Sequence, residues 1–219
     1  MIRVLLADDE AMIRAGVSAI LASDPSIEVV AEASNGREAV DLARLHRPDV
    51  VLLDIRMPVM DGLQAVSEIR RATPSVAVIV LTTFGEDEHI ARAIDGGASG
   101  FLLKTGDPRD LIAGVRAVAD GGAYLAPLVA RRIITLFATG TSGGDIARGA
   151  DARRQVSVLT DRERDVLRLV GSGLSNAEIG AELYIVEGTV KAHVSKILSR
   201  LGLGNRVQAA LLAHAAGLS

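Results

Sequence analysis

The first 120 residues alternate short apolar runs with amphipathic segments. The runs are rich in β-branched residues and largely apolar, as expected for strands covered on both faces. The five predicted strands are Ile2–Ala7, Ile27–Ala31, Val50–Leu53, Val76–Leu81 and Gly100–Leu103. The segments with helical periodicity are Glu10–Ala22, Gly36–Leu45, Gly62–Ala72, Glu86–Gly96 and Pro108–Asp120. Five such units predict an α/β domain over residues 1–121, built on a doubly wound five-stranded parallel sheet.

The rest of the chain changes character twice. A helical pattern at Pro127–Phe137 is followed by Thr139–Gln155, which is rich in Gly, Ser, Thr and charged residues and has no apolar period. This composition is typical of a flexible linker, so residues 122–155 are assigned to a linker helix and a linker. Residues 156–219 are helical throughout, in about four short pieces separated near residues 171–174, 184–186 and 201–204. They predict a small all-α domain.

Charge and composition narrow the classes of function. Residues 1–121 carry 12 basic and 19 acidic residues, a net −7, whereas residues 122–219 carry 12 and 8, a net +4. An acidic front half and a basic tail indicate different partners for the two halves. The chain has only five aromatic residues and no Trp, which argues against a module that stacks single-stranded bases.

Several other features exclude particular environments and sites. There is no cysteine, so disulfides and Cys-ligated zinc are excluded. No apolar stretch approaches the roughly 18 residues that span a bilayer, and the N-terminus shows no export signal. We therefore expect a cytoplasmic protein without a membrane partner.

Acidic residues follow two strands that should be neighbours in the sheet. Asp8, Asp9 and Glu10 follow the first strand, and Asp54 follows the third. Carboxyl ends of central parallel strands meet at one edge, so these carboxylates should converge. Clustered carboxylates are unfavourable unless a cation lies among them, and an oxygen-only ligand set suits Mg²⁺. Each acid taken alone is equally well explained as a solvated loop residue or a helix cap.

Two further strand ends carry polar residues of a different kind. Thr82 and Thr83 end the fourth strand, and Lys104 ends the fifth. A metal, a carboxylate, a hydroxyl and an ammonium group at one edge are the parts of a phosphoryl-transfer site, with Asp54 as the nucleophile.

The motifs LLADDE (5–10), LLDIRMPVMDG (52–62), LTT (81–83) and GFLLK (100–104) resemble the receiver domain of bacterial two-component response regulators. The resemblance implies that Asp54 accepts phosphate from a sensor histidine kinase and also ligates Mg²⁺, together with Asp8, Asp9 and the backbone carbonyl of Arg56. It implies that Thr82 and Lys104 bind the phosphoryl oxygens and that Phe101 is the aromatic residue of a Thr–aromatic switch. Many receivers have Tyr in place of Phe101 and Pro in place of Thr105.

The third helix of the tail, Glu187–Leu201, has two distinct faces. One face carries the apolar residues Val190, Val194, Ile197, Leu198 and Leu201. The opposite face carries Gly188, Ala192, Ser195 and Ser199, flanked by Lys191 and Lys196. A small, polar and basic face fits the DNA major groove, although an ordinary solvated face has a similar pattern.

The tail motifs LTDRE (159–163), GLSNAEI (173–179) and EGTVKAHV (187–194) resemble the LuxR-type helix-turn-helix of NarL/FixJ response regulators. The resemblance implies that Lys191, Ala192 and Ser195 face the bases of double-stranded promoter DNA. It makes a further set candidates for phosphate contact or groove support: Ser175, Asn176, Thr189, His193, Lys196 and Arg206. A homodimer is also expected, formed on phosphorylation through contacts between the last helices of two chains. The contact residues would be Val207, Ala210, Leu211 and His214. Val186 stands where the family usually has a capping Ser.

Three alternatives compete with a phosphorylation-activated, non-enzymatic transcriptional regulator. A phosphatase of the haloacid-dehalogenase type needs a second Asp two positions after the first, and Arg56 stands there. A dinucleotide-binding domain needs a Gly-rich turn after the first strand, where the chain has DDEAM. A regulator that keeps the receiver only as a scaffold has no need of the intact set of acids, Thr82 and Lys104.

Overall fold

The computed structural model describes residues 1–82, 87–126, 129–130 and 145–218, with the backbone alone at residues 87–88 and 145–150. Thr83 and most of the predicted helix Pro127–Phe137 lie outside these residues. The chain divides into two compact units, one within residues 1–133 and the other within residues 134–219.

The first unit contains a parallel sheet with the strand order β2-β1-β3-β4-β5-β6. Its strands are β1 (Ile2–Ala7), β2 (Ile27–Ala33), β3 (Val50–Asp54), β4 (Ala77–Thr82), β5 (Gly100–Leu103) and β6 (Tyr124–Leu125). The α/β class and the parallel sheet are confirmed, but the count of five strands is wrong. The sixth strand has two residues, too few for an apolar pattern, and pairs with β5 beyond the boundary expected at residue 121.

Five helices alternate with the strands, which makes the sheet doubly wound. They are α1 (Ala11–Ala22), α2 (Gly36–His46), α3 (Gly62–Ala72), α4 (Asp87–Gly96) and α5 (Pro108–Ala119). The side chains of Asn35, Asp61 and Asp107 accept backbone hydrogen bonds at the starts of α2, α3 and α5. The three central strands are buried over most of their length, so their carboxyl ends are held rigidly at one edge.

Gly62 brings the start of α3 against the end of β3. Its N–H donates to the Ile55 carbonyl at 2.8 Å. A Cβ at this position would lie 2.9 Å from both the carbonyl carbon of Asp54 and the Cα of Ile55. Only glycine allows this approach, which positions the backbone on both sides of Asp54.

The second unit is helical. Its helices are α6 (Asp145–Val156), α7 (Asp161–Gly171), α8 (Asn176–Leu183), α9 (Glu187–Leu201) and α10 (Arg206–Ala215). The spacing of Thr160 with Glu163 and of Ser175 with Glu178 in the sequence predicts a capping box at each pair. Both boxes form. Among the described residues, no helix is long and apolar enough to cross a bilayer.

Helix α6 differs from the predicted linker. The prediction of a flexible linker over Thr139–Gln155 is wrong for residues 145–155, which are helical. Ala152 and Val156 are buried in the core of the second unit, which also contains Val166, Ile179 and Val190. Tertiary packing of these few apolar side chains stabilises a helix that composition alone disfavours.

Replacing Gly62 with Ala should destabilise the first unit by about 1–3 kcal/mol, because the added methyl group overlaps the backbone of β3. The Gly16→Ala variant in α1 is the matched control. A Cβ at Gly16 meets no atom within 4 Å, so this change should stabilise the helix by up to about 1 kcal/mol. Thermal unfolding of both variants measures the effects. Equal melting temperatures for the two variants would contradict the packing argument.

Candidate functional site

Four polar side chains meet at the carboxyl edge of the first unit's sheet. Asp8 follows β1, Asp54 ends β3, Thr82 ends β4 and Lys104 follows β5. Asp8, Asp54 and Thr82 are buried. The edge therefore holds two carboxylates, a hydroxyl and an ammonium group in a space with little access to water.

Lys104 joins the two buried carboxylates. Its Nζ lies 2.8 Å from Asp8 Oδ2 and 2.9 Å from Asp54 Oδ2. Burial raises the pKa of the Asp54 carboxyl group, a tendency that the hydrogen bond from Lys104 opposes. Burial lowers the pKa of Lys104, but the contacts with the two carboxylates outweigh burial and raise it. The ammonium group is therefore held in its charged form between two acids that would otherwise repel each other.

Only some of the residues expected to bind Mg²⁺ have carboxylate oxygens close to one another. Carboxylate oxygens of Asp8, Asp9 and Glu10 lie within 4.8 Å of one another. Asp8 Oδ1 accepts the Glu10 N–H at 2.9 Å, and the buried Asp8 Oδ2 forms its ion pair with Lys104. Carboxylate oxygens this close together suit a hard divalent cation. Glu10 was absent from the predicted ligand set, although it is adjacent in sequence.

The remaining predicted receiver residues surround Asp54 at different depths. Asp54 Oδ1 accepts the N–H of Ile55 at 2.8 Å. The Lys104 N–H donates to the Thr82 carbonyl at 2.9 Å, which ties the ends of β4 and β5 together. Phe101 is fully buried in β5, whereas Arg56 is exposed beside the site.

In the second unit, α9 presents the expected exposed face. Val190, Val194 and Ile197 are buried against the core. Several predicted DNA-contacting residues are exposed, and these are Thr189, Lys191, Ala192, Ser195 and Lys196, with Ser175 at the start of α8. His193 is half-buried. Val186 precedes α9 and makes no side-chain capping bond, as its apolar side chain predicts.

Asn176 and Arg206 lie inside the second unit. The Arg206 guanidinium donates to Asn176 Oδ1 at 2.8 Å and to the Leu174 carbonyl. Burial lowers the pKa of Arg206 to about 10. The two residues thus join the start of α10 to the turn before α8. Direct phosphate contact, one of the two roles expected for them, is contradicted by their burial, while the role of supporting the DNA-binding face remains.

Glu163 is a residue of this unit whose contacts the sequence did not reveal. Its side chain is 1% exposed and contacts two cations of α9, Arg200 Nη1 at 2.6 Å and Lys196 Nζ at 3.3 Å. The sequence predicts Glu163 only as the partner of Thr160 in a capping box. No local spacing could have shown the ion pairs, because they join residues 33 and 37 positions apart.

The predicted dimer face of α10 is only partly accessible. Val207 is buried in its own unit, whereas Ala210 and Leu211 are half-buried and His214 is exposed. Val207 is therefore corrected from a dimer contact to an interior residue. The resemblance to the LuxR-type helix-turn-helix placed it in the dimer contact, but the start of the helix is turned inward where Arg206 is anchored.

Two family profiles match this chain. The profile of the response regulator receiver domain matches residues 4–116. The profile of the luxR family of bacterial regulatory proteins matches residues 157–213. The matched segments coincide with the parallel sheet and with helices α7 to α10.

Curated relatives and solved structures extend the likeness over both units. The chain is 41% identical to the transcriptional regulatory protein LiaR of Bacillus subtilis over 214 residues, covering 98% of this chain and 97% of the relative. It is 36% identical to the nitrate/nitrite response regulator protein NarL of Escherichia coli strain K12, covering 96% and 94%. The crystal structure of ChrA, a response regulator of a heme-sensing two-component system, is 35% identical with a TM-score of 0.54, covering 100% of this chain and 98% of that one.

Replacing Arg206 with Lys should destabilise the second unit by about 1–3 kcal/mol. The guanidinium reaches the Asn176 and Leu174 oxygens with two separate nitrogens of a rigid fork, and the ammonium group of Lys lacks that geometry. Arg168→Lys, on the exposed face of α7, is the control and should have no effect. Thermal unfolding followed by circular dichroism measures both variants. An Arg206→Lys protein as stable as the control would show that the buried contact is not needed.

Proposed function

The chain belongs to the response regulators that join a receiver domain to a LuxR-type DNA-binding domain, and we propose that phosphorylation of Asp54 controls its binding to promoter DNA. Like its relatives, it is a DNA-binding transcriptional regulator of a two-component system and not an enzyme. The observation that supports Asp54 as the acceptor is the contact of Lys104 with both Asp54 and Asp8.

The chemistry assigned to Asp54 is a phosphoryl transfer from the phosphohistidine of a sensor histidine kinase. An Asp54 oxygen attacks phosphorus, the P–N bond breaks, and the electron pair stays on the departing imidazole, which takes a proton. Lys104 Nζ lies 2.9 Å from Asp54 Oδ2. It would move from that oxygen to the negatively charged phosphoryl group and bind one of its oxygens. Thr82, buried at the end of β4, donates its hydroxyl to a second phosphoryl oxygen. Its movement would free space beside Phe101, the aromatic residue of the proposed switch.

Mg²⁺ is proposed as the cofactor of this step. Asp8 and Asp9 would hold it together with Asp54 and the Arg56 carbonyl, and Glu10 is a further oxygen donor in reach of the first two. When bound, the cation offsets negative charge on the phosphoryl group during transfer. The support for it is the group of carboxylate oxygens on Asp8, Asp9 and Glu10, which lie within 4.8 Å of one another.

The proposed DNA interface is the exposed face of α9. Lys191, Ala192 and Ser195 would lie against base edges in the major groove. Thr189, His193, Lys196 and Ser175 would contact phosphates or line the groove, while Asn176 and Arg206 hold α8 and α10 in place behind that face. The homodimer is proposed to use Leu211, His214 and Ala210 of α10. Since its proposed partners are a sensor kinase and promoter DNA, the protein is proposed to act in the cytoplasm.

Asp54→Asn should abolish Mg²⁺-dependent labelling by radioactive acetyl phosphate, because an amide cannot accept the phosphoryl group. Asp61→Asn is the matched control. Asp61 caps α3 seven residues later, and Asn caps a helix equally well, so labelling should persist. Labelling of the Asp54→Asn protein at the wild-type level would place the acceptor elsewhere.

Lys191→Gln should weaken binding to an operator obtained by in vitro selection by about 1–3 kcal/mol if Lys191 reads a guanine edge. Arg168→Gln removes an exposed cation of α7, outside the proposed interface, and should have a much smaller effect. Electrophoretic titration of the acetyl-phosphate-treated protein measures both. Equal losses for the two variants would show that α9 does not read the operator.

A further inference from the structure

Glu163 connects α7 to the helix that faces DNA. Its Oε2 accepts hydrogen bonds from the Thr160 N–H at 2.9 Å, the Thr160 hydroxyl at 3.0 Å and Arg200 Nη1 at 2.6 Å. Its Oε1 lies 3.3 Å from Lys196 Nζ. We propose that Glu163 neutralises part of the positive charge of α9, and so limits the binding of this protein to DNA of any sequence.

The Glu163 carboxylate is fixed before DNA arrives. The capping box with Thr160 anchors it at the third position of α7, so little side-chain entropy remains to be lost when the two cations are held. The hydrogen bond from the Thr160 backbone, helped by its hydroxyl and by the charges of Lys196 and Arg200, lowers the pKa of Glu163 to about 2. The carboxylate is therefore charged at any pH at which the protein operates.

The charge balance at α9 explains the expected effect. After Glu187, α9 contains the three basic residues Lys191, Lys196 and Arg200 and no acidic one. Each cation that neutralises a phosphate releases counterions and adds about 0.9 to the slope of log K against log salt. Lys196 is 60% exposed and can reach a phosphate, but it must first share its charge with Glu163. The sequence-independent attraction is thereby reduced, and discrimination between operator and bulk DNA increases.

Glu178 provides a natural comparison within the same unit. It occupies the same capping-box position in α8, where it accepts bonds from the Ser175 N–H and hydroxyl, each at 2.7 Å. Among the described residues, no cation lies within ion-pair distance of Glu178. Gln retains the acceptor oxygen that a capping box needs, so Glu→Gln at either position removes one negative charge and keeps the cap.

The inference rests on the proposed function, since it requires that α9 meets DNA. The test uses the full chain treated with acetyl phosphate and Mg²⁺, and a fluorescent 30-base-pair duplex of arbitrary sequence. Anisotropy titrations at several salt concentrations give the slope for wild type, Glu163→Gln and Glu178→Gln. Glu163→Gln should steepen the slope by about one unit and tighten binding several-fold at low salt. Glu178→Gln should change both much less.

Equal slopes for Glu163→Gln and Glu178→Gln would overturn the inference and leave the proposed function standing. Absence of salt-dependent binding by the wild-type protein would overturn both. Lys196→Gln tests the same point if Glu163→Gln does not fold, as judged by circular dichroism. Its slope should fall by clearly less than the 0.9 of a full phosphate contact, because Glu163 already offsets that charge. A fall by the full amount would overturn the inference.

Discussion

Two carboxylates and one ammonium group share a buried space at the end of the sheet, and the rest of the first unit is arranged around that contact. Asp8 and Asp54 would repel each other without Lys104, which lies within 3 Å of both. The three residues come from three strands, so their contact requires the β1, β3, β4, β5 order of the sheet. It also requires the close approach of Gly62, which positions the backbone at Asp54. A phosphate group carries a charge of about −1.5 to −2. Phosphorylation of Asp54 would put it in place of the single negative charge of the carboxylate and so disturb this balance. The balanced charges at this edge of the sheet would therefore respond to phosphorylation of Asp54.

The elements that the sequence predicted well are those whose signals are local and repeated. The five long strands and their helices were recognisable because each is a largely apolar run or an amphipathic period. The receiver site followed from topology, since residues at strand ends of a parallel sheet must share an edge. For the same reason Asp8, Asp54, Thr82 and Lys104 could be named together before any distance was known. The starts of α7 and α8 were marked by Thr160 and Ser175, whose capping boxes are encoded within four residues.

The elements that escaped prediction depend on contacts between distant residues. Strand β6 is formed by pairing with β5, and two residues carry no pattern of their own. Helix α6 is held by Ala152 and Val156 in a core supplied by other helices. Arg206 and Glu163 are charged residues in polar segments, and composition favours an exposed position for each. Their burial depends on partners 30 to 37 residues away, which the period of a single helix cannot reveal.

Each unit contains a charged group that offsets charges of the opposite sign, but the sign that is offset differs between the two units. In the receiver, a cation offsets carboxylates at the place where the proposed phosphorylation would add negative charge. In the second unit, the Glu163 carboxylate offsets cations at the place proposed to meet DNA phosphates. The first arrangement relieves a repulsion and the second weakens an attraction, and both are fixed by neighbouring backbone bonds or strand ends rather than by flexible surface pairs. Exposed pairs such as Lys191 with Glu187 are weakened by solvent and salt, so they cannot set such a balance. Burial lets a single carboxylate or ammonium group determine how strongly each unit responds to phosphate.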